Sequence, residues 1–305
     1  MCFFKEKCSP PSSKMYKYYG WAGENENFIE PRLLGELFFA SPFKFNDPYD
    51  CQLPLLENNT EEISNKREDV IKRILEEEDF DVTKTYDALL RGDKETEKNV
   101  FIEQIKRLGI LCLTSTNDNI LMWSHYASHN GICLEYDVPK ILSNLYSYIA
   151  PKIKEKYGDC AYSNFSANRI IMDKVIYVKS LKNISVKLFF DQPEKDCKSK
   201  YWKKLQDWKY ENEYRIGISL GGDIAVVIPD IVKHIYMGCN STILQITEIY
   251  RLMKKNDLLH IPVSIMRKDS TGLVPILLRI STLESIYLQY NAGANQFWNI
   301  YANYV

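Results

Sequence analysis

In the segment Trp208-Lys-Tyr-Glu211-Asn-Glu213-Tyr-Arg215-Ile, charges recur at every second position, with aromatic or aliphatic residues at most of the positions between them. A strand of period two puts Glu211, Glu213 and Arg215 on one face, with the two carboxylates roughly 7 Å apart. Like charges that close raise the pKa of at least one of them, while a cation such as Arg215 or Lys17 lowers it. Such a row suits holding sugar hydroxyls and stabilising a cationic, oxocarbenium-like transition state. An exposed edge strand is the commoner origin of a charge row, but Trp208, Tyr210, Tyr214 and Ile216 give this one a buried side. The segment reads as a half-buried strand whose polar face meets a ligand.

Two further stretches carry groups of the right kind. Phe45-Asn-Asp-Pro-Tyr-Asp50 is a turn by chemistry, because Asn and Asp side chains bond their own backbone and Pro48 fixes the exit. Its place after an aromatic strand lets Asn46 and Asp47 present themselves to a ligand. Met122-Trp-Ser-His-Tyr-Ala127 reads as a short helix in which Trp123 and Tyr126 line a pocket and His125 orients a neighbour; a helix that simply packs its aromatics is the alternative. His125 and His129 share a helical spacing, but no third ligand stands at a persuasive distance, so no metal is expected. The chain lacks P-loop, G-x-G-x-x-G and H-E-x-x-H patterns.

The elements that must position these groups belong to a chain of 305 residues, 45% hydrophobic and 13% aromatic, ample for a large core. With 39 basic and 40 acidic residues, net charge −1 offers no electrostatic case for nucleic acid or an anionic membrane as an obligate partner. Eight scattered cysteines without a C-x-x-C pair indicate reduced thiols and, with no signal-like or membrane-length apolar run, a cytoplasmic setting.

Residues 1–14 read as a loose leader, and Met15–Tyr19 as the first strand. Further strands are expected at Glu36–Ala40, Ile110–Thr114, Ile132–Tyr136, Asp173–Val178, Glu211–Ile218, Ile224–Ile228, Lys233–Gly238 and Leu259–Ile265. Helices are expected within 61–108, as a charged insertion, from about 120 to 127, 138–157, 195–207 and 242–254. Long helices inserted irregularly among short strands favour an α+β fold with mixed, mostly antiparallel sheets. A single domain is assigned to 15–265, with 266–305 as an aromatic-rich C-terminal extension packed on it.

Taken together, Phe45-Asn-Asp-Pro-Tyr49, Leu121-Met-Trp-Ser-His-Tyr-Ala127 with Gly131, and Trp208-x-x-Glu-x-Glu-x-Arg215 resemble, in order and spacing, the signatures of a bacterial family called domain of unknown function 2971. The early strand, the following helix and the late E-x-E strand also resemble, more distantly, the plan of ADP-ribosyltransferases. That second resemblance implies NAD as substrate, Glu213 as catalytic glutamate and Glu211 as its substrate-orienting companion. Lys17 or Tyr18 stands where those enzymes carry His or Arg. The implied binding set is Lys17, Tyr18, Asn46, Asp47, Trp123, His125, Tyr126 and Arg215. The expected function is an ADP-ribosyltransferase or NAD glycohydrolase, in a bacterial toxin or phage-defence effector, with a protein or nucleic-acid acceptor. The alternatives are a non-catalytic module that binds a nucleotide or a partner, and a nuclease-like toxin using Glu211, Glu213, His125 and Arg215.

Overall fold

A computed structural model describes residues 12–21, 28–51, 55–56, 71–72, 82–181, 184–185 and 201–292. In chain order the strands are β1 (Lys14–Tyr19), β2 (Glu36–Phe39), β3 (Leu55–Leu56), β4 (Gly109–Thr114), β5 (Ile132–Asp137), β6 (Ile170–Lys174), β7 (Ile176–Val178), β8 (Ile184–Ser185), β9 (Lys203–Leu205), β10 (Glu213–Ile218), β11 (Ile224–Val227), β12 (Val232–Met237), β13 (Val263–Asp269) and β14 (Gly272–Leu278). The helices are α1 (Ile29–Leu33), α2 (Val82–Leu90), α3 (Lys94–Arg107), α4 (Ile120–Ala127), α5 (Val138–Asn164), α6 (Ile243–Lys255) and α7 (Ile280–Asn291). The class is α+β, as the irregular alternation indicated.

Eight strands form the main sheet in the order β14-β13-β12-β5-β1-β4-β10-β6, antiparallel throughout except for the β12–β13 pair. That parallel pair needs a crossover, which α6 supplies. One face of the sheet, carrying Met15, Leu111, Leu134, Ile216 and Ile235, is covered by Ile141, Leu145 and Ile149 of α5 and by Ile246, Ile249 and Met253 of α6. Each such aliphatic side chain contributes about 1.5–3 kcal/mol on burial.

The sheet has one weak seam. β1 pairs with β5 at six positions and β4 with β10 at six, yet β1 meets β4 only where Tyr16 faces Thr114. Beyond that pair the two strands part.

Several expectations need correction. The boundary at 265 falls inside β13, and residues 266–278 complete the sheet through the β13–β14 hairpin. Asp269 closes that turn by accepting from the Thr271 amide at 3.1 Å. Only α7 has the character of a packed extension, with Tyr287 against Tyr250 of α6 at 5.3 Å; residues 293–305 lie outside the described residues. The helix expected over 195–207 is replaced at its C-terminal end by β9 and a 3-10 helix, Gln206–Glu211, while 191–200 lie outside the described residues. The expected strand at 173–178 is split between β6, in the main sheet, and β7, which pairs with β9. Of the charged insertion expected at 61–108, α2 and α3 are seen, and most of the rest lies outside the described residues, as do residues 1–11 of the expected leader. No helix among the described residues is long and apolar enough to cross a membrane.

Candidate functional site

Glu213 and Arg215 point to the same side of β10, but Glu211 is not part of that strand. It ends the 3-10 helix, and Asn212 takes a left-handed turn (φ 44°) before the ladder begins at Glu213 opposite Thr114. Asn tolerates that conformation better than most residues. The expected single row is therefore a turn followed by a strand, yet the turn brings the Glu211 carboxylate back to Glu213 through a shared cation. That cation is Lys204 of β9, whose Nζ lies 2.7 Å from Glu211 Oε2 and 3.4 Å from both Glu213 Oε2 and Asp50 Oδ2. Trp202 sets the approach of this segment to β10, because its ring lies where a side chain at Gly217 would have to go.

Arg215 is fully buried and has every donor in use. Nε donates to Glu213 Oε1 at 2.7 Å, Nη1 to Asp50 Oδ1 at 2.9 Å and to the Tyr201 carbonyl at 2.7 Å, and Nη2 to Glu213 Oε2 at 3.1 Å and Asp50 Oδ2 at 2.5 Å. A guanidinium so occupied has no capacity for a ligand. Arg215 sits behind Glu213 as a clamp, which corrects its assignment to ligand binding.

The wall holds three carboxylates, Asp50, Glu211 and Glu213, against two cations, Lys204 and Arg215. Burial raises Glu211 to about 7, helped by Glu213 and opposed by Lys204. Burial also works against ionised Glu213, but Arg215 and then Lys204 outweigh it and hold that carboxyl well below the usual range. Lys204 is disfavoured by burial as well, and Glu213, Glu211 and Asp50 together keep it protonated far up the scale. A proton on Glu211 balances the charge of the cluster.

This wall borders a cavity of about 640 Å³, within the range of small-molecule pockets, roughly 300–1,000 Å³. The cavity opens where β1 and β4 part and is lined by residues from both strands, with Asp50, Lys204, Glu211 and Glu213 at one end and Tyr19, Phe28, Arg32 and Phe38 also on its surface. Tyr126 donates its hydroxyl to Glu211 Oε1. Burial, followed by the Glu211 charge, pushes that phenol far up, so it stays a donor, and the Asn46 side chain hydrogen-bonds the same hydroxyl. Lys17 crosses the seam to the Cys112 carbonyl, Nζ to O 3.0 Å. Burial lowers its pKa, with Glu213 and Glu211 among the groups that oppose the shift.

Of the residues singled out from sequence, Lys17, Tyr18, Asn46, Tyr126, Glu211 and Glu213 line the cavity. Tyr18 does so while its ring packs edge-on against Trp123 and its hydroxyl donates to the Thr116 carbonyl at 3.1 Å. Trp123 is wholly buried in that cluster, with Nε1 on the Asn117 carbonyl at 2.8 Å, so it supports α4 and does not offer a stacking surface. His125 is exposed and lies beside Tyr210, away from the cavity lining. Asp47 is buried and accepts from the Tyr49 amide at 2.9 Å, shaping the turn that delivers Asp50. Asp50 and Lys204 escaped the sequence reading. Asp50 belongs to the same Asn-Asp-Pro turn, which was the available signal, whereas nothing in the local pattern marks Lys204.

Residues 122–216 match the model of a family described as Protein of unknown function (DUF2971). The matched span runs from Met122 in α4 to the Glu213–Arg215 strand, and so takes in the Trp208–Arg215 motif whole and the α4 motif from its second residue on. Neither the curated proteins nor the solved structures yield a match to this chain.

Proposed function

We propose that the protein is an enzyme that binds NAD in this cavity and breaks the bond between nicotinamide and ribose, passing the ADP-ribosyl group to an acceptor or to water. The observation that carries the reading is a pair of glutamates in one cavity wall with opposite protonation behaviour, Glu213 held ionised and Glu211 raised to about 7. Nicotinamide leaves with the electron pair of the glycosidic bond, and the positive charge left on the ribose faces the fixed charge of Glu213. Glu211 orients the incoming nucleophile and takes its proton, a role that suits a carboxyl titrating near neutrality. The resemblance of the E-x-E segment to ADP-ribosyltransferases supports the same division of labour, and a bacterial toxin or phage-defence effector is a setting for it by analogy.

The test is nicotinamide release from NAD by the pure protein, followed by chromatography. Glu213→Gln is expected to abolish release, and Glu211→Gln to slow it about 10²–10⁴-fold. No release by the wild type with any acceptor supplied, or equal release by Glu213→Gln, overturns the reading.

A second reading, a nucleotide-binding module without turnover, is favoured by one observation: both Glu213 oxygens are already engaged by Arg215 and Lys204. It predicts that NAD raises the melting temperature with no nicotinamide released.

A further inference from the structure

The cavity has two ends, and the carboxylate wall occupies only one. At the other, Phe28 lies 6.4 Å from Tyr19, and the Arg32 guanidinium is 5.0 Å from the Phe28 ring centroid and 5.8 Å from that of Tyr19. Phe38 of β2 also lines the cavity, with Lys44 Nζ 5.6 Å from its ring centroid. Lys17 stands between the two, over the Tyr19 ring at 5.8 Å and within electrostatic reach of Arg32 on one side and of Glu211 and Glu213 on the other. Arg32 is paired to Glu36 through Nη1, yet its Nε is buried and finds no acceptor in the protein. A buried donor left in that state is costly unless something meets it. Among the described residues Lys17 has no carboxylate at ion-pair distance, and its one hydrogen bond, to Cys112, leaves donor capacity for an incoming group.

We infer that the Phe28–Arg32–Phe38 end is a nucleoside monophosphate compartment, in which aromatic side chains flank a planar base while Arg32 Nε and Lys17 Nζ hold the phosphate beside it. The chemistry is that of rings that accept a π-face at one end and two cationic donors at the neck. A ligand filling both ends then places a phosphate at the seam, its base among the aromatics and its second sugar at Glu211 and Glu213. This deepens the NAD reading and rests on it only for that second sugar, since the compartment itself should take AMP.

The experiment measures AMP and ADP-ribose binding to the full chain by calorimetry, separately from nicotinamide release. Wild type is expected to bind both, with AMP affinity falling at least tenfold in Phe38→Ala and in Lys17→Met. Phe38 lies half-buried on a short two-stranded ribbon, and Phe38→Leu serves as the variant that keeps bulk but removes the π-face, with a loss again expected. Circular dichroism and the melting temperature check that each variant is folded. Failure of wild type to bind AMP, or binding unchanged in folded Phe38→Ala and Lys17→Met, overturns the inference. AMP bound with these sensitivities but no nicotinamide released sinks the glycosyl-transfer reading and leaves the compartment standing. Release of nicotinamide with AMP binding indifferent to both positions does the reverse.

Discussion

Glu213, Thr114, Tyr16, Glu135 and His234 lie in one cross-strand row of the main sheet, so the chain buries a carboxylate on the same face on either side of the seam. The two have different company. Glu135 accepts from Tyr236 Oη at 3.2 Å and from Lys14 Nζ at 2.7 Å, where Lys14 is 59% exposed, and among the described residues no second carboxylate is paired to those partners. Glu213 shares its two buried cations with Asp50 and Glu211 and looks onto a cavity. Burial alone therefore does not mark a site. What separates the two is a wall of three carboxylates sharing two paired cations, next to space for a ligand.

The largest test of this contrast is Arg215→Met. It strands Asp50 and Glu213 in a buried wall, and breaking such a pair costs about 3–5 kcal/mol. Urea denaturation should show a loss of that size, and a loss under about 1 kcal/mol would put the cluster's coupling in doubt.

Next comes pH. The folded chain keeps a proton on Glu211 up to about 7, against a usual value of 4.5. The folded state thus binds the extra proton between these values, and stability declines as pH rises through the window, by at most about 1.4 kcal/mol per pH unit. Glu213, shifted the other way, contributes stability that is present above its ordinary value of 4.5 and is lost progressively as pH falls below it into strong acid. Glu211→Gln should flatten the slope between pH 5 and 7. An unchanged slope in denaturation curves at pH 5, 6 and 7 would assign it to another group.

The smallest effect is expected on the far side of the seam. Lys14→Ala removes a bond to a largely exposed ammonium, and exposed pairs contribute about 0–1 kcal/mol. A loss above about 2 kcal/mol would make the Glu135 cluster as tightly coupled as its counterpart and erase the distinction.

The strands that build this row are readable because their signals are local. Ile110–Thr114 and Ile132–Tyr136 are short, largely apolar runs buried nearly throughout, Met15–Tyr19 is aromatic-rich, and the Asn119 cap and the His129-Asn-Gly131 stop of α4 are equally local. The site depends on longer reach. Asp50 meets Arg215 across 165 positions, and no pattern in either segment records the partner. Trp123 meets the same limit: a Trp on a short helix is a stacking surface or a core residue according to what covers it, and here Tyr18 covers it. Glu211 was placed correctly in space but on the wrong element, because alternating charge does not register a left-handed Asn between two glutamates.

The single residue pair between β1 and β4 has a consequence for motion. A hydrogen-bonded ladder interrupted at one place opens there first, so amide protons along β1 and β4 should exchange through a local separation that costs less than unfolding the molecule. Lys17 is the one side chain of β1 seen to reach a β4 carbonyl across that line, and a bound phosphate would add a second stitch beside it. Occupancy of the cavity would then be legible from a distance, as slower deuterium uptake along two strands that are otherwise the loosest neighbours in the sheet.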